Sequence, residues 1–233
     1  MTVDFSPRNI AIIGASGAIG GAFREMVSEK YPDAGLHVFS SHGFNHIDYD
    51  SEESICACAE LASQDRCLDL VLITNGSLHG QDMMPEKSLK DLSAEKFHHF
   101  FQINAVVPAL IAKYFLPKLN RHSKSVLAVL SARVGSISDN HLGGWYAYRS
   151  SKAALNMIIK NAAIESGRIN KQSIVVGLHP GTVDSSLSKP FQSTVPENKL
   201  FTPEYAAEKL LSVLENINRS QTGKCIAWDG KEI

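Results

Sequence analysis

Apolar residues fall along this chain in two alternating rhythms. Short continuous runs, such as Leu70-Val71-Leu72-Ile73 and Ile174-Val175-Val176, are separated by longer stretches with helical spacing. The runs predict strands at Asn9–Ile13, Leu36–Ser40, Leu68–Thr74, Ser125–Ser131, Ser173–His179 and Lys224–Trp228, with a weaker one near His46–Asp48. The periodic stretches predict helices at Ile19–Lys30, Glu52–Gln64, Ala94–Leu119, Tyr148–Arg168 and Pro203–Asn218. Continuous apolar runs suit strands covered by helices on both faces, as in a parallel sheet. The alternation therefore predicts one doubly wound α/β domain over residues 1–233. No repeat or long linker divides it. Thr182–Lys199, polar and carrying Pro190 and Pro196, reads as a mobile loop near a site.

Composition narrows the partners. The 233 residues are 44% hydrophobic, enough for one sizeable core. Lys plus Arg number 23 against 24 Asp plus Glu, so no basic excess exists to neutralise a nucleic-acid backbone. Cys56, Cys58, Cys67 and Cys225 form no disulfide or metal pattern and read as reduced thiols of a cytoplasmic protein. The apolar stretch Ile10–Phe23 follows Arg8, as a signal segment would. Its Gly14, Gly17, Gly20 and Gly21, with Arg24 and Glu25 close behind, instead indicate a turn, and no membrane partner is expected.

That turn carries the first candidate chemistry. Ile10-Ala-Ile-Ile-Gly14-Ala15-Ser16-Gly17-Ala18-Ile19-Gly20 reads as strand, Gly-rich turn and helix start. Glycines there let a dinucleotide pyrophosphate approach backbone N–H groups at a helix N-terminus. A tight strand–helix connection would look similar, but the position on the first strand favours the dinucleotide. The second strand ends Ser40-Ser41-His42, with no acid to hold an adenosine ribose or repel a 2′-phosphate. This favours NADP over NAD, unless specificity lies elsewhere.

Three Tyr-x-x-x-Lys pairs occur, Tyr114/Lys118, Tyr148/Lys152 and Tyr205/Lys209. Each places both side chains on one helix face, so the bare motif decides little. Pro117 interrupts the first pair, and the third opens a late helix behind Pro203. Tyr148/Lys152 follows a strand and a Gly-containing loop and leads into the small residues Ser150-Ser151-Lys152-Ala153-Ala154.

With these elements in order, the sequence resembles the short-chain dehydrogenase/reductase family, most nearly its carbonyl-reductase-like C-factor branch. The likeness rests on Ser131-Ala-Arg-Val-Gly-Ser136, Gly143-Gly-Trp-Tyr-Ala-Tyr148-Arg-Ser-Ser-Lys152 and His179-Pro-Gly-Thr-Val-Asp184. It implies a single-domain Rossmann fold with seven parallel strands in the order 3-2-1-4-5-6-7. It implies catalytic roles for Tyr148, Lys152, Asn104 and a serine. Gly14, Ser16, Gly17, Ala18 and Ile19 would meet the dinucleotide, with Ser40, Ser41 and Asp48 at its adenosine end. Asn75, Gly76, Tyr148, Lys152, Pro180, Gly181, Val183 and Ser185 would meet the remainder. Two departures stand out. Ala18 replaces the middle glycine of the family turn, and Ala132 occupies the position of the family's catalytic serine. Ser131 is the first substitute and Ser136 the second.

The expectation is an NADP-preferring oxidoreductase that interconverts a small-molecule carbonyl and an alcohol. Trp145, Leu187 and Phe191 are candidates for an apolar pocket wall. The family resemblance also implies a homodimer or homotetramer. The alternative is a non-catalytic NAD(P)-binding signalling protein of the C-factor type, which Ala132 favours and Tyr148, Lys152 and Asn104 oppose.

Overall fold

The computed structural model describes residues 5–43, 45–80 and 83–233. Its strands are β1 (Asn9–Ile13), β2 (Gly35–Phe39), β3 (Leu70–Ile73), β4 (Ser125–Leu130), β5 (Ser173–His179), β6 (Thr182–Val183), β7 (Leu200–Phe201) and β8 (Cys225–Ala227). Its helices are α1 (Ala18–Lys30), α2 (Glu52–Ser63), α3 (Ala94–Phe101), α4 (Val107–Phe115), α5 (Tyr146–Ile169) and α6 (Pro203–Asn216). Six strands form a parallel sheet in the order β2-β1-β3-β4-β5-β8, while β6 and β7 pair separately. Register sets Ile13 opposite Phe39 and Ile73, and Val129 opposite Ile73 and Gly177.

Both faces of the sheet are buried, which is why its strands lack polar alternation. Ala11, Ile13, Leu127 and Val129 pack against Ile55 of α2, Ile111 of α4 and Leu155 of α5. Ile10, Ile12, Val126 and Ala128 pack against Phe23 of α1 and Leu210 of α6. Each fully buried side chain of this size contributes roughly 1.5–3 kcal/mol.

Two predicted elements differ in detail. The strand expected near His46–Asp48 shrinks to a single parallel bridge between Ser40 and His46, so the seven-strand order lacks its outermost member. The chain turns away at once: the Asp50 N–H donates to Asp48 Oδ1 (2.9 Å), and Ser51 caps α2 by accepting from the Ser54 N–H. The helix expected over Ala94–Leu119 is broken by a π turn at Gln102–Val106 and ends in a 3-10 turn at Leu116–Lys118. Pro108 has no N–H to give the carbonyl of Asn104 four residues earlier, so the α-helical ladder fails at that rung. The run Ala94–Lys118 is long and apolar enough to cross a membrane, yet Phe100, Val107, Ile111 and Phe115 are buried in the core.

Candidate active site

The carboxyl ends of β1, β3, β4 and β5 open onto one cavity of about 770 Å³. Its first wall is the Gly-rich turn. Gly14 has φ +88°, and a Cβ there would lie 2.7 Å from the Asn75 nitrogen, so only glycine fits. The Gly14 N–H donates to the Phe39 carbonyl (2.9 Å), fixing the turn on β2. Gly17 then starts α1 with no side-chain cap and no acid in the first turn. Ser16, Gly17 and Ala18 are exposed. Free helix N–H groups and the positive end of the helix dipole make this start receptive to an anion.

Gly17, Ala18, Ile19, Asn75 and Gly76 line the cavity, as do Ser131, Ala132, Tyr148, Lys152, Pro180, Gly181, Val183 and Ser185. A Cβ on Gly76 would sit 3.5 Å from Asn104 Oδ1 and 3.6 Å from Lys152 Nζ, so this glycine keeps room open beside both. An uncapped helix start at one end and space beside a buried lysine at the other suit a dinucleotide. Ser40, Ser41 and Asp48 lie outside this cavity wall. Ser40 Oγ donates to the His42 carbonyl, and the exposed Asp48 closes its own turn.

At the other end, Tyr148 and Lys152 lie on one buried face of α5. Lys152 Nζ donates to the Leu130 carbonyl (3.0 Å) and lies 6.0 Å from the Tyr148 ring centre. Burial pushes the Tyr148 phenol up to about 12. It pulls the Lys152 ammonium down to about 8, with the Cys225 thiol acting weakly the other way. Asn104, in the π turn, is fully buried. Its Oδ1 accepts from the Ser77 N–H (2.9 Å), and its Nδ2 donates to the Ser77 carbonyl (2.8 Å) and to Ser151 Oγ (3.1 Å). Ser151 Oγ donates to the Tyr148 carbonyl (2.8 Å), so Asn104 fastens the loop after β3 to α5.

The serine substitutes stand differently. Ser131 Oγ donates to Asn156 Oδ1 (2.6 Å), which commits its proton away from the cavity. Ala132 lines the cavity itself. Ser136 lies outside that lining, with its Oγ 3.5 Å from Ser138 Oγ. Gly135 packs so closely that a Cβ would meet the Lys152 carbonyl carbon at 2.8 Å. The competing tyrosines have structural partners: Tyr114 donates to Glu52 (2.8 Å), and Tyr205 packs on Phe201 with ring centres 4.9 Å apart.

Trp145, Leu187 and Phe191 do line the cavity, and the Trp145 and Phe191 rings are 4.8 Å apart. Phe191 comes from the segment read as a mobile loop, which folds into β6 and 3-10 turns at Lys189–Thr194 and Glu197–Lys199. Trp145 closes a left-handed run with Gly143 and Gly144 and has φ +52°, the one non-glycine positive φ among the described residues.

Glu86 carried no sequence signal, and His179 and Arg149 lay inside quoted motifs without being assigned a role. Glu86, buried at 1% exposure, accepts from the Ala147 N–H (3.2 Å) through Oε2, and its carbonyl accepts from the Trp145 N–H (2.6 Å). A carboxylate thus fills the start of α5. His179 lines the cavity, and burial holds it neutral, down to about 4, helped by Arg133 and opposed by Asp229. Arg149 also lines the cavity and follows Tyr148 directly.

The chain is similar to known proteins. The short chain dehydrogenase family profile matches residues 8–196. A 1-hydroxy-2-glutathionyl-2-methyl-3-butene dehydrogenase of Rhodococcus sp. (strain AD45) is 32% identical over 79% of this chain and 76% of its own. C-signal of Myxococcus xanthus is 30% identical over 70% of this chain and 90% of its own. The fold superimposes on an NADPH-bound carbonyl reductase from chicken fatty liver with a TM-score of 0.81, at 22% identity and over 97% and 98% of the two chains. With the family profile matched over most of its length, the chain belongs to the short-chain dehydrogenases.

Proposed function

We propose that this short-chain dehydrogenase is an NADPH-dependent reductase of aldehydes or ketones. The observation that carries it is the buried Tyr148–Lys152 pair facing a cavity that begins at an uncapped helix start. Gly17, Ala18 and Ile19 would hold the pyrophosphate, and Lys152 the nicotinamide ribose beside Gly76. The bound cofactor supplies the hydride. Tyr148, kept protonated by burial, gives its proton to the carbonyl oxygen. At neutral pH Lys152 is still largely charged, and its ammonium stabilises the phenolate left behind. Asn104 holds Ser77 and Ser151 in place around that proton donor. Trp145, Leu187 and Phe191 exclude water from the substrate side. Preference for NADP rests on the acid-free turn Ser40-Ser41-His42.

Ala132 favours a second reading, a cofactor-binding signalling protein, in keeping with the likeness to C-signal. Turnover separates the two. NADPH oxidation with a panel of aldehydes and diketones should be measurable, and Tyr148→Phe should lower it by 10²-fold or more, the usual contribution of a positioned acid. No turnover on any panel member in the wild type, with NADPH bound, would leave the signalling role standing.

A further inference from the structure

Among the described residues Arg149 has no anionic partner. Its Nη1 touches the Val134 carbonyl at 3.5 Å, while its Nε is buried and without a partner. It sits in the first turn of α5, where the helix N–H groups already carry positive partial charge. An arginine in that position is disfavoured unless a negative group joins it. Glu86 is the carboxylate at this helix start, but it accepts from the Ala147 N–H and makes no ion pair with Arg149 among the described residues. Around the cavity Arg133, Arg149 and Lys152 supply positive charge, and no Asp or Glu lines it among the described residues. Lys152 already donates to the Leu130 carbonyl beside Tyr148, and Arg133 already faces Asp139 at 3.5 Å. The unneutralised charge on the substrate side is therefore Arg149.

We propose that Arg149 selects a carbonyl substrate bearing a carboxylate, held by the guanidinium while the reacting carbonyl meets Tyr148. This rests on the reductase reading and narrows it. The guanidinium fork matches a carboxylate with two parallel hydrogen bonds, and a buried N–H that gains a charged acceptor contributes more than one that stays unpaired. Trp145, Leu142 and Phe191 line the same cavity and suit an apolar body between the two polar ends.

The test compares 3- and 4-carboxybenzaldehyde with their methyl esters as substrates for NADPH oxidation. For at least one isomer, the wild type should prefer the acid by about tenfold or more in kcat/KM, the scale of one charge-assisted hydrogen bond. In Arg149→Met the ratio of acid to ester should fall to near one, and Arg149→Lys should restore part of it. Titrations of Trp fluorescence with benzoate and benzamide add a reading that needs no turnover: benzoate should bind more tightly to the wild type but not to Arg149→Met. Equal handling of acid and ester by the wild type, or a preference that survives in Arg149→Met, overturns the proposal. Should no aldehyde be reduced, the reductase reading fails by itself and the benzoate titration still decides the role of Arg149.

Discussion

Two helices start at the edge of the same cavity, and they start in opposite ways. The start of α1 is exposed at Ser16, Gly17 and Ala18, begins at a glycine, and has neither a side-chain cap nor an acid. The first turn of α5 is covered, and a buried glutamate from a distant loop already occupies it. An open start keeps its N–H groups and its positive end for a ligand. A filled start spends the same groups on the protein itself and gains a fixed position. The difference separates two tasks that the fold must perform side by side. On the proposed function, helix α1 would hold an anion that comes and goes, and α5 a phenol that must not move.

Several substitutions break or sharpen this contrast. The largest effect is expected at Lys152, which α5 holds buried. Its folded pKa of about 8 lies below the ordinary 10.5, so the buried charge lowers stability throughout the range below pH 8. As pH rises from about 8 towards 10.5, the unfolded chain binds more protons and stability increases. A shift of this size corresponds to about 3 kcal/mol. Lys152→Met should therefore raise the melting temperature at pH 7 while reducing turnover by 10²-fold or more. Unchanged stability in a calorimetric scan would mean that water reaches this ammonium. In the wild type, turnover should decline as pH passes about 8 and Lys152 discharges.

Next comes Gly17→Asp, which makes α1 resemble α5. Gly17 has φ −76° and ψ 161°, a conformation open to any residue, and aspartate is a good cap there. The helix should gain a few tenths of a kcal/mol. NADPH affinity should drop at least tenfold, because two like charges a few ångströms apart near a protein surface repel by several kcal/mol at about 4 Å. A calorimetric titration showing undiminished affinity would place the pyrophosphate elsewhere.

The reverse experiment is Glu86→Gln, which leaves an acceptor for the Ala147 N–H but removes the charge. A charge held at a helix end away from solvent contributes up to about 2 kcal/mol, so the melting temperature should fall by several degrees. The expected kinetic result is a several-fold lower kcat with NADPH affinity unaltered, because only the catalytic helix loosens. A loss confined to NADPH affinity would contradict the division of labour.

The smallest effect concerns the adenosine end. The wild type should bind NADPH several-fold more tightly than NADH, and Ser41→Asp should reverse the order by adding repulsion for a 2′-phosphate and an acceptor for the ribose. Fluorescence titration with both reduced cofactors reads this directly. Equal affinities in the wild type would show that Ser40, Ser41 and His42 take no part.

How much of this was readable from the sequence follows a physical line. The alternating strands and helices were legible because burial on both sheet faces leaves continuous apolar runs, and β1 and β5 fall where those runs predicted. Gly14 was legible because a positive φ and a close approach to Asn75 need glycine. The edge strand was not, because what ends it is a pair of local aspartate and serine turns that compete with the ladder. Nor was the π turn read, although Pro108 was in plain view four residues after Asn104. Glu86 left no trace at all: its partners lie 59 and 61 residues away along the chain, and only folding brings them together. Likewise the hydroxyl of Ser131 looked available until the structure gave it to Asn156, 25 residues on.

Trp145 shows what such a site implies for redesign. Its backbone lies in the left-handed region, which disfavours a large side chain by roughly 1–2 kcal/mol, while its ring builds the wall against Phe191 and lies 6.2 Å from that of Tyr148. A search for more stable variants would be drawn to glycine at this position, and a search for substrate discrimination would be drawn away from it. Evolving the two properties together would meet their conflict first at this residue, ahead of any in the core.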